Sequence, residues 1–252
     1  MYRKLLILAA ILFCADRLLF AMPPAPGIPW PADEPCQVNK TAAEERINYQ
    51  ARFAPGLAPA ISHTTITIAV VRVDFPDRPM TKTLAETEAL FSKFTTYYLE
   101  NSYNKCFFKV IISTGGAGGN GAFRMPRPMS TGTSNYAKGT SSDYGGLLID
   151  AISVSTTTGF KPSVQGVLIY HAGEGAETAV DSSKYIWSMA RYDLSVAFVP
   201  ELEFSSIDPL GTICHETGHL FGLPDLYNTI TGKSAVGDWS LMDGGGYSGT
   251  PQ

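Results

Sequence analysis

Residues 215–225 read His215-Glu216-Thr217-Gly218-His219-Leu220-Phe221-Gly222-Leu223-Pro224-Asp225. On an α-helix, side chains four positions apart share a face, so both imidazoles can approach one metal ion. Glu216 follows the first imidazole directly and can reach a water activated by that ion without having to ligate it. Gly222 can end the helix in a left-handed turn, and Pro224 prevents the helix from resuming. The chain therefore doubles back where Asp225 can supply a third ligand.

Elimination supports that choice. Structural zinc sites are closed by four Cys or His ligands, whereas catalytic ones use three protein ligands and keep one position open. No glutamate follows Glu216 and no histidine follows His219, so the downstream acids are Asp225, Asp238 and Asp243. Asp225 stands where the pattern H-E-x-x-H-x-x-G-x-x-H places its third ligand. Asp238 and Asp243 are assigned to the loop that follows. Two ordinary helix histidines are the plainer explanation of His215 and His219. The chain has only 4 histidines, however, and the G-x-x-D continuation is not required by a plain helix.

Over a longer span the sequence resembles the family M6 metallopeptidases, the immune inhibitor A group of secreted bacterial proteases. The resemblance rests on His215 to Tyr227 (HETGHLFGLPDLY) and on Trp239-Ser240-Leu241-Met242-Asp243-Gly244. Upstream it takes in Val71 to Asp77 (VRVDFPD), Tyr98 to Tyr103 (YLENSY), His171 to Gly175 (HAGEG) and Ile186-Trp187-Ser188. It implies an α+β fold of zincin or metzincin type: a twisted mixed β-sheet with backing helices and an active-site helix. A short irregular C-terminal part would carry a methionine turn, with Met242 as the apolar floor beneath the metal. The chain departs from the family at Thr178-Ala179-Val180, where members carry further acidic or glycine residues, and it ends soon after the methionine turn.

The resemblance implies one catalytic zinc ion held by His215, His219 and Asp225, with Glu216 as general base and Gly222 turning the chain to the third ligand. It allows for structural calcium, which no residue pattern here specifies. Protein or peptide substrates follow, lying extended beside an edge strand of the sheet. The alternative is a secreted, metal-stabilised binding module without turnover, against which the intact Glu216 argues. An exopeptidase or amidase would need a terminus-recognising site that the sequence does not display.

With 252 residues, 44% hydrophobic and 17% charged, the chain can bury a sizeable core. A formal charge of −4 and the lack of a basic run give no support to nucleic-acid binding. Arg3 and Lys4 precede an apolar stretch, Leu5 to Phe13, and then Leu18-Leu19-Phe20-Ala21. This has the form of a secretory signal peptide over residues 1–21, with cleavage after Ala21 and an extracellular product. Asp16 and Arg17 interrupt the apolar run well short of the ~20 residues a spanning helix needs, so stable membrane insertion is not expected.

Residues 22–60 hold eight prolines and read as an irregular, pro-like segment with one short helix, Thr41 to Phe53. Residues 61–252 form the expected catalytic domain. Cys14 falls in the leader, which leaves Cys36, Cys106 and Cys214. Cys214 is expected as a small buried hydrophobe, Cys36 with Cys106 as a disulfide, and Cys36 as an alternative cap on the zinc.

Ile66 to Phe75 is rich in β-branched residues and reads as a strand, as do Phe107 to Ile112 and Val164 to Tyr170. Thr83-Leu84-Ala85-Glu86 is a capping box, and Leu84, Phe91, Phe94 and Tyr98 continue one helical face. Asp143 to Val154 reads as a second helix with Leu147, Leu148, Ala151 and Ile152 apolar. Asp208-Pro209 is the expected start of the active-site helix, running to Phe221. Gly115 to Gly121 is expected as a flexible surface loop, and His171 as a structural histidine.

Overall fold

The computed structural model describes residues 19–21, 64–139, 142–204, 206–229 and 231–247. The whole of the pro-like segment 22–60, with the short helix expected at 41–53 and Cys36, lies outside the described residues. Among the described residues, one seven-stranded sheet is accompanied by three α-helices. The strands are β1 (Leu19–Ala21), β2 (Thr64–Asp74), β3 (Cys106–Ile112), β4 (Phe123–Arg124), β5 (Gly166–Glu174), β6 (Met189–Arg191) and β7 (Val196–Leu202). The helices are α1 (Leu84–Asn101), α2 (Tyr144–Thr157) and α3 (Leu210–Leu220). Strand order is β1-β6-β7-β5-β2-β3, with β4 pairing along the last residues of β2. Pairs from β7 to β3 are parallel, whereas β6 runs antiparallel to β7 and to β1. The sheet is therefore mixed, and with its backing helices and active-site helix it has the α+β architecture that the sequence implies.

Residue alternation assigns the helices to faces. Tyr170 and Ile169 are neighbours on β5, so their side chains leave opposite sides of the sheet. Tyr170 meets Phe91 of α1 at 5.8 Å between ring centroids. Phe198, the partner of Ile169 on β7, meets Tyr144 of α2 at 5.2 Å. Helices α1 and α2 thus cover opposite faces. Helix α3 lies beside α1, where the Tyr98 hydroxyl donates to the Cys214 carbonyl at 2.6 Å. An aromatic cluster of Phe94, Tyr98, Phe108 and Phe221, with centroids 4.9–6.0 Å apart, fastens the end of α3 to α1 and β3. The aromatic face of α1 is thus core packing, and Thr83 closes the capping box with Glu86 as expected.

Several expectations are corrected. Helix α2 extends to Thr157 and is capped by Asp143, and Leu147 and Ala151 are buried while Ile152 faces solvent. The glycine segment 115–121 is fastened rather than loose. The buried Asp74 carboxylate accepts from the Gly119 amide at 2.6 Å and from the Arg124 guanidinium at 2.7 and 3.0 Å. Asp208 does not cap α3; its carboxylate is taken by Lys82 Nζ at 2.9 Å and Lys93 Nζ at 3.5 Å, and Pro209 stands at the cap without a side-chain bond. Two ammonium groups outcompete the helix amides for one carboxylate. Among the described residues Cys106 is a half-buried thiol and Cys214 is buried as anticipated, whereas the expected bridge from Cys106 involves Cys36, which lies outside them.

Candidate metal centre

Helix α3 ends in a Schellman turn that places the ligands. Gly222, at φ +80°, donates to the His219 carbonyl at 2.8 Å, and Leu223 donates to the Gly218 carbonyl at 3.1 Å. A side chain would be strained in that left-handed conformation, which is why glycine stands there. The same turn aims the Leu223 carbonyl back at the helix, where it accepts from His219 Nδ1 at 2.7 Å. His215 Nδ1 donates in the same way to the Leu241 carbonyl at 2.8 Å. Each imidazole thus has its Nδ1 fixed by a main-chain oxygen and its Nε2 left facing inward. This is the tautomer and orientation that a metal-binding histidine requires.

The two Nε2 atoms lie 3.1 Å apart, and Asp225 Oδ1 lies 3.2 Å from one and 3.3 Å from the other. Ligands at 2.0–2.1 Å from a tetrahedral zinc are separated by roughly 3.3 Å, so this triangle has the size of one face of such a site. All three side chains are buried, and neither oxygen of Asp225 meets the geometry of a hydrogen bond. A desolvated carboxylate left this way is costly without a cation to face. The donor set therefore fits zinc. Burial alone would raise the Asp225 pKa, but the facing His219 and His215 rings more than offset it and hold the carboxyl at about 2. Burial lowers the pKa of His219 against the pull of Asp225, which favours the neutral ring that ligates.

The main chain after the ligands closes the floor. Leu226 donates to the Met242 carbonyl at 2.7 Å, tying the residue after Asp225 to the expected methionine turn. Met242 is buried under α3, and a methyl group added at Gly218 would meet its Sδ at 2.9 Å. Asp243 is a structural residue: its Oδ2 accepts from the Ala235, Val236 and Gly237 amides at 2.8–3.1 Å and from Ser234 Oγ at 3.1 Å. Glu216 is fully buried on α3 and stands outside the group of three whose ligand atoms lie within 4.8 Å of one another. His171 is buried in β5, with Nδ1 on the Ala172 carbonyl at 3.0 Å, and takes no part in the cluster.

A second set of acids near Glu216 was not legible in the sequence. Glu177 accepts from the Ser188 amide at 3.0 Å and from the Ser188 hydroxyl, and Glu203 is bonded to the hydroxyl of Thr212, one helical turn before Glu216. Tyr247 joins them, its hydroxyl pushed well above the usual range by burial and then by Glu177, Glu203 and Glu216. Burial raises Glu177 and brings Glu203 up to about 8. Between the ordinary glutamate range and pH 8 the folded protein therefore holds a proton on Glu203 that the unfolded chain has released, so stability falls as pH rises through that window. Glu203→Gln, neutral at every pH, is expected to show a smaller drop in melting temperature between pH 5 and pH 8 than the native protein. Equal drops would mean that Glu203 is ionised in the fold.

One family model matches the part of the chain that builds this site. A family model described as Immune inhibitor A peptidase M6, catalytic domain, matches residues 204–252, the C-terminal part that holds α3, Asp225 and Met242. No curated protein matches the chain. Among solved structures the chain is similar to archaemetzincin from Methanopyrus kandleri, at 16% identity over 74% of this chain and 84% of that one, with a TM-score of 0.39. The segment that brings two imidazoles and a carboxylate together thus lies within the residues that match the M6 peptidase family model.

Proposed function

We propose that the protein is a secreted zinc-dependent endopeptidase. The observation that carries this reading is the buried triangle of His215 Nε2, His219 Nε2 and Asp225 Oδ1, with edges of 3.1–3.3 Å, beside a glutamate that is not part of it. Three protein ligands leave room for water and substrate, as in catalytic rather than structural zinc sites. Zinc, when bound, supplies Lewis acidity that activates water and polarises the scissile carbonyl.

The chain's own groups do the rest. His215 and His219 are presented as neutral donors by the Leu241 and Leu223 carbonyls. Asp225 adds the negative charge that favours a dication over water or a monovalent ion. Glu216 takes a proton from the attacking water onto its carboxylate and passes it to the departing amine. Met242 and the main chain around it close the cavity from below and keep the ligand geometry rigid.

The test is digestion of casein by the purified protein, alongside metal analysis. Cleavage that stops with a chelator and returns with added zinc is the expected result. One zinc per chain with no cleavage of casein or of a mixed peptide library would instead favour the metal-stabilised binding module.

A further inference from the structure

Strands β2 and β5 are parallel partners, so their carboxyl ends lie side by side. The chain leaving β2 passes to α1 on one face of the sheet. The chain leaving β5 passes α2 on the other, where the Trp187 carbonyl accepts from the Tyr144 hydroxyl at 3.1 Å. Such a divergence of connections leaves a crevice at the strand ends, the usual place for a ligand in open α/β sheets. His171 is opposite Val73 in this register and shares the face of Ile169, the α2 side. The crevice is thus turned away from α3 and the metal centre.

Two polar groups without partners stand there. His171 is fully buried, its Nδ1 lies 3.0 Å from the Ala172 carbonyl, and its Nε2 has no partner. A carbonyl only accepts, so the ring proton sits on Nδ1 and Nε2 carries a lone pair. Burial, against the Ala172 carbonyl and with help from the Arg78 charge, brings the ring to about 4, so it is neutral near pH 7. Arg78 is half-buried and fixed on three sides. Its main chain closes a turn with Phe75 at 3.0 and 3.1 Å, and its guanidinium carbon lies 4.6 Å from the centre of the Tyr185 ring. Its stem runs against Gly173, two residues beyond His171, where a side chain would meet Arg78 Cδ at 2.3 Å. Among the described residues no carboxylate pairs with Arg78, and its buried Nε has no acceptor. Buried donors and acceptors left in this way are costly.

We propose that this crevice binds a phosphate group, free or as a monoester, with the Arg78 guanidinium holding its oxygens and His171 Nε2 accepting from its acid hydroxyl. The guanidinium asks for an anion with several oxygens, which its planar fork can grip in pairs. The imidazole asks for a donor. A carboxylate or a sulfate near neutral pH is an acceptor alone and would leave Nε2 unmatched. A phosphate that keeps one proton offers both, charged oxygens on one side and a hydroxyl on the other. The site lies on the far side of the sheet from His215, Glu216 and His219, and its ligand takes no part in hydrolysis.

The test titrates the full chain with inorganic phosphate, phenyl phosphate and sulfate in an amine buffer at pH ~6, where a monoester keeps its second proton about half of the time. The native protein is expected to bind phosphate at least ~10-fold more tightly than sulfate, which has no hydroxyl to give His171. The Nε2 nitrogen resonance of His171 should move when phosphate is added and stay in place with sulfate. Arg78→Lys keeps the charge but loses the fork, and should weaken phosphate binding by ~10-fold or more. Phenyl phosphate bound as well as inorganic phosphate supports a monoester site; inorganic phosphate bound alone supports a closed site for the free anion. Equal affinity for phosphate and sulfate in the native protein, or no binding of phosphate up to ~10 mM, would overturn the proposal without any variant having to fold. So would an unmoved His171 resonance, or a phosphate affinity unchanged by Arg78→Lys, the result expected if the metal ion takes the anion instead. None of these readouts uses peptide cleavage, so they stand apart from the peptidase reading.

Discussion

Asp225→Ala is expected to weaken zinc binding by more than ~100-fold, because changes one step further from a metal already cost 10- to 100-fold. The argument is geometric. Asp225 Oδ1 stands within 3.3 Å of both imidazole nitrogens, and among the described residues no other group of His, Cys, Asp or Glu side chains closes on a common point. Removing the carboxylate leaves two neutral donors on one helix face, with no anionic ligand to balance a dication. It also leaves the Schellman turn intact, since Gly222 and Leu223 make their bonds through the main chain. The variant should therefore fold with α3 in place and lose metal under mild chelation. Metal analysis after dialysis, with a chelator-competition titration, checks this. Zinc content equal to that of the native protein would assign the third ligand elsewhere.

What the sequence made legible was local. The two-histidine spacing, the glycine that ends α3 and the β-branched runs of β2, β3 and β5 each declare themselves within a dozen residues. Parts that depend on distant partners did not. Strand β7 contains Pro200, which argues against a central strand because proline lacks an amide donor. The structure accommodates it opposite His171, the last residue before the register between β5 and β7 shifts. The interruption in the ladder absorbs the missing donor. Asp208 looked like a helix cap because its lysine partners, Lys82 and Lys93, lie more than a hundred positions away in sequence. The oxygens that orient the imidazoles are main-chain carbonyls of Leu223 and Leu241, and no residue type encodes a carbonyl. The buried acids Glu177 and Glu203 were missed for a related reason. Lone glutamates in a sequence read as surface, and only the fold gathers them behind Thr212 and Ser188.

Glu216→Gln is expected to lower kcat by ~10²–10⁴-fold, the usual contribution of a positioned general base, while one zinc per chain is retained. Glutamine has nearly the same size and keeps a carbonyl oxygen, so the packing of a fully buried residue on α3 is little disturbed. What it lacks is a group that can accept and return a proton. Because Glu216 stands outside the ligand cluster, zinc affinity should not follow activity down, the reverse of the pattern expected for Asp225→Ala, where metal and activity fall together. That contrast separates the two roles on a single helix and turn. Glu216→Asp tests position rather than chemistry: it keeps the carboxylate but withdraws it by one methylene, so activity should land between the native protein and Glu216→Gln. Steady-state peptide hydrolysis on zinc-loaded protein, with metal content measured on the same samples, decides the matter. Native turnover in Glu216→Gln would remove Glu216 from the reaction, and loss of zinc in that variant would make it a ligand or a pillar of the site instead of its base.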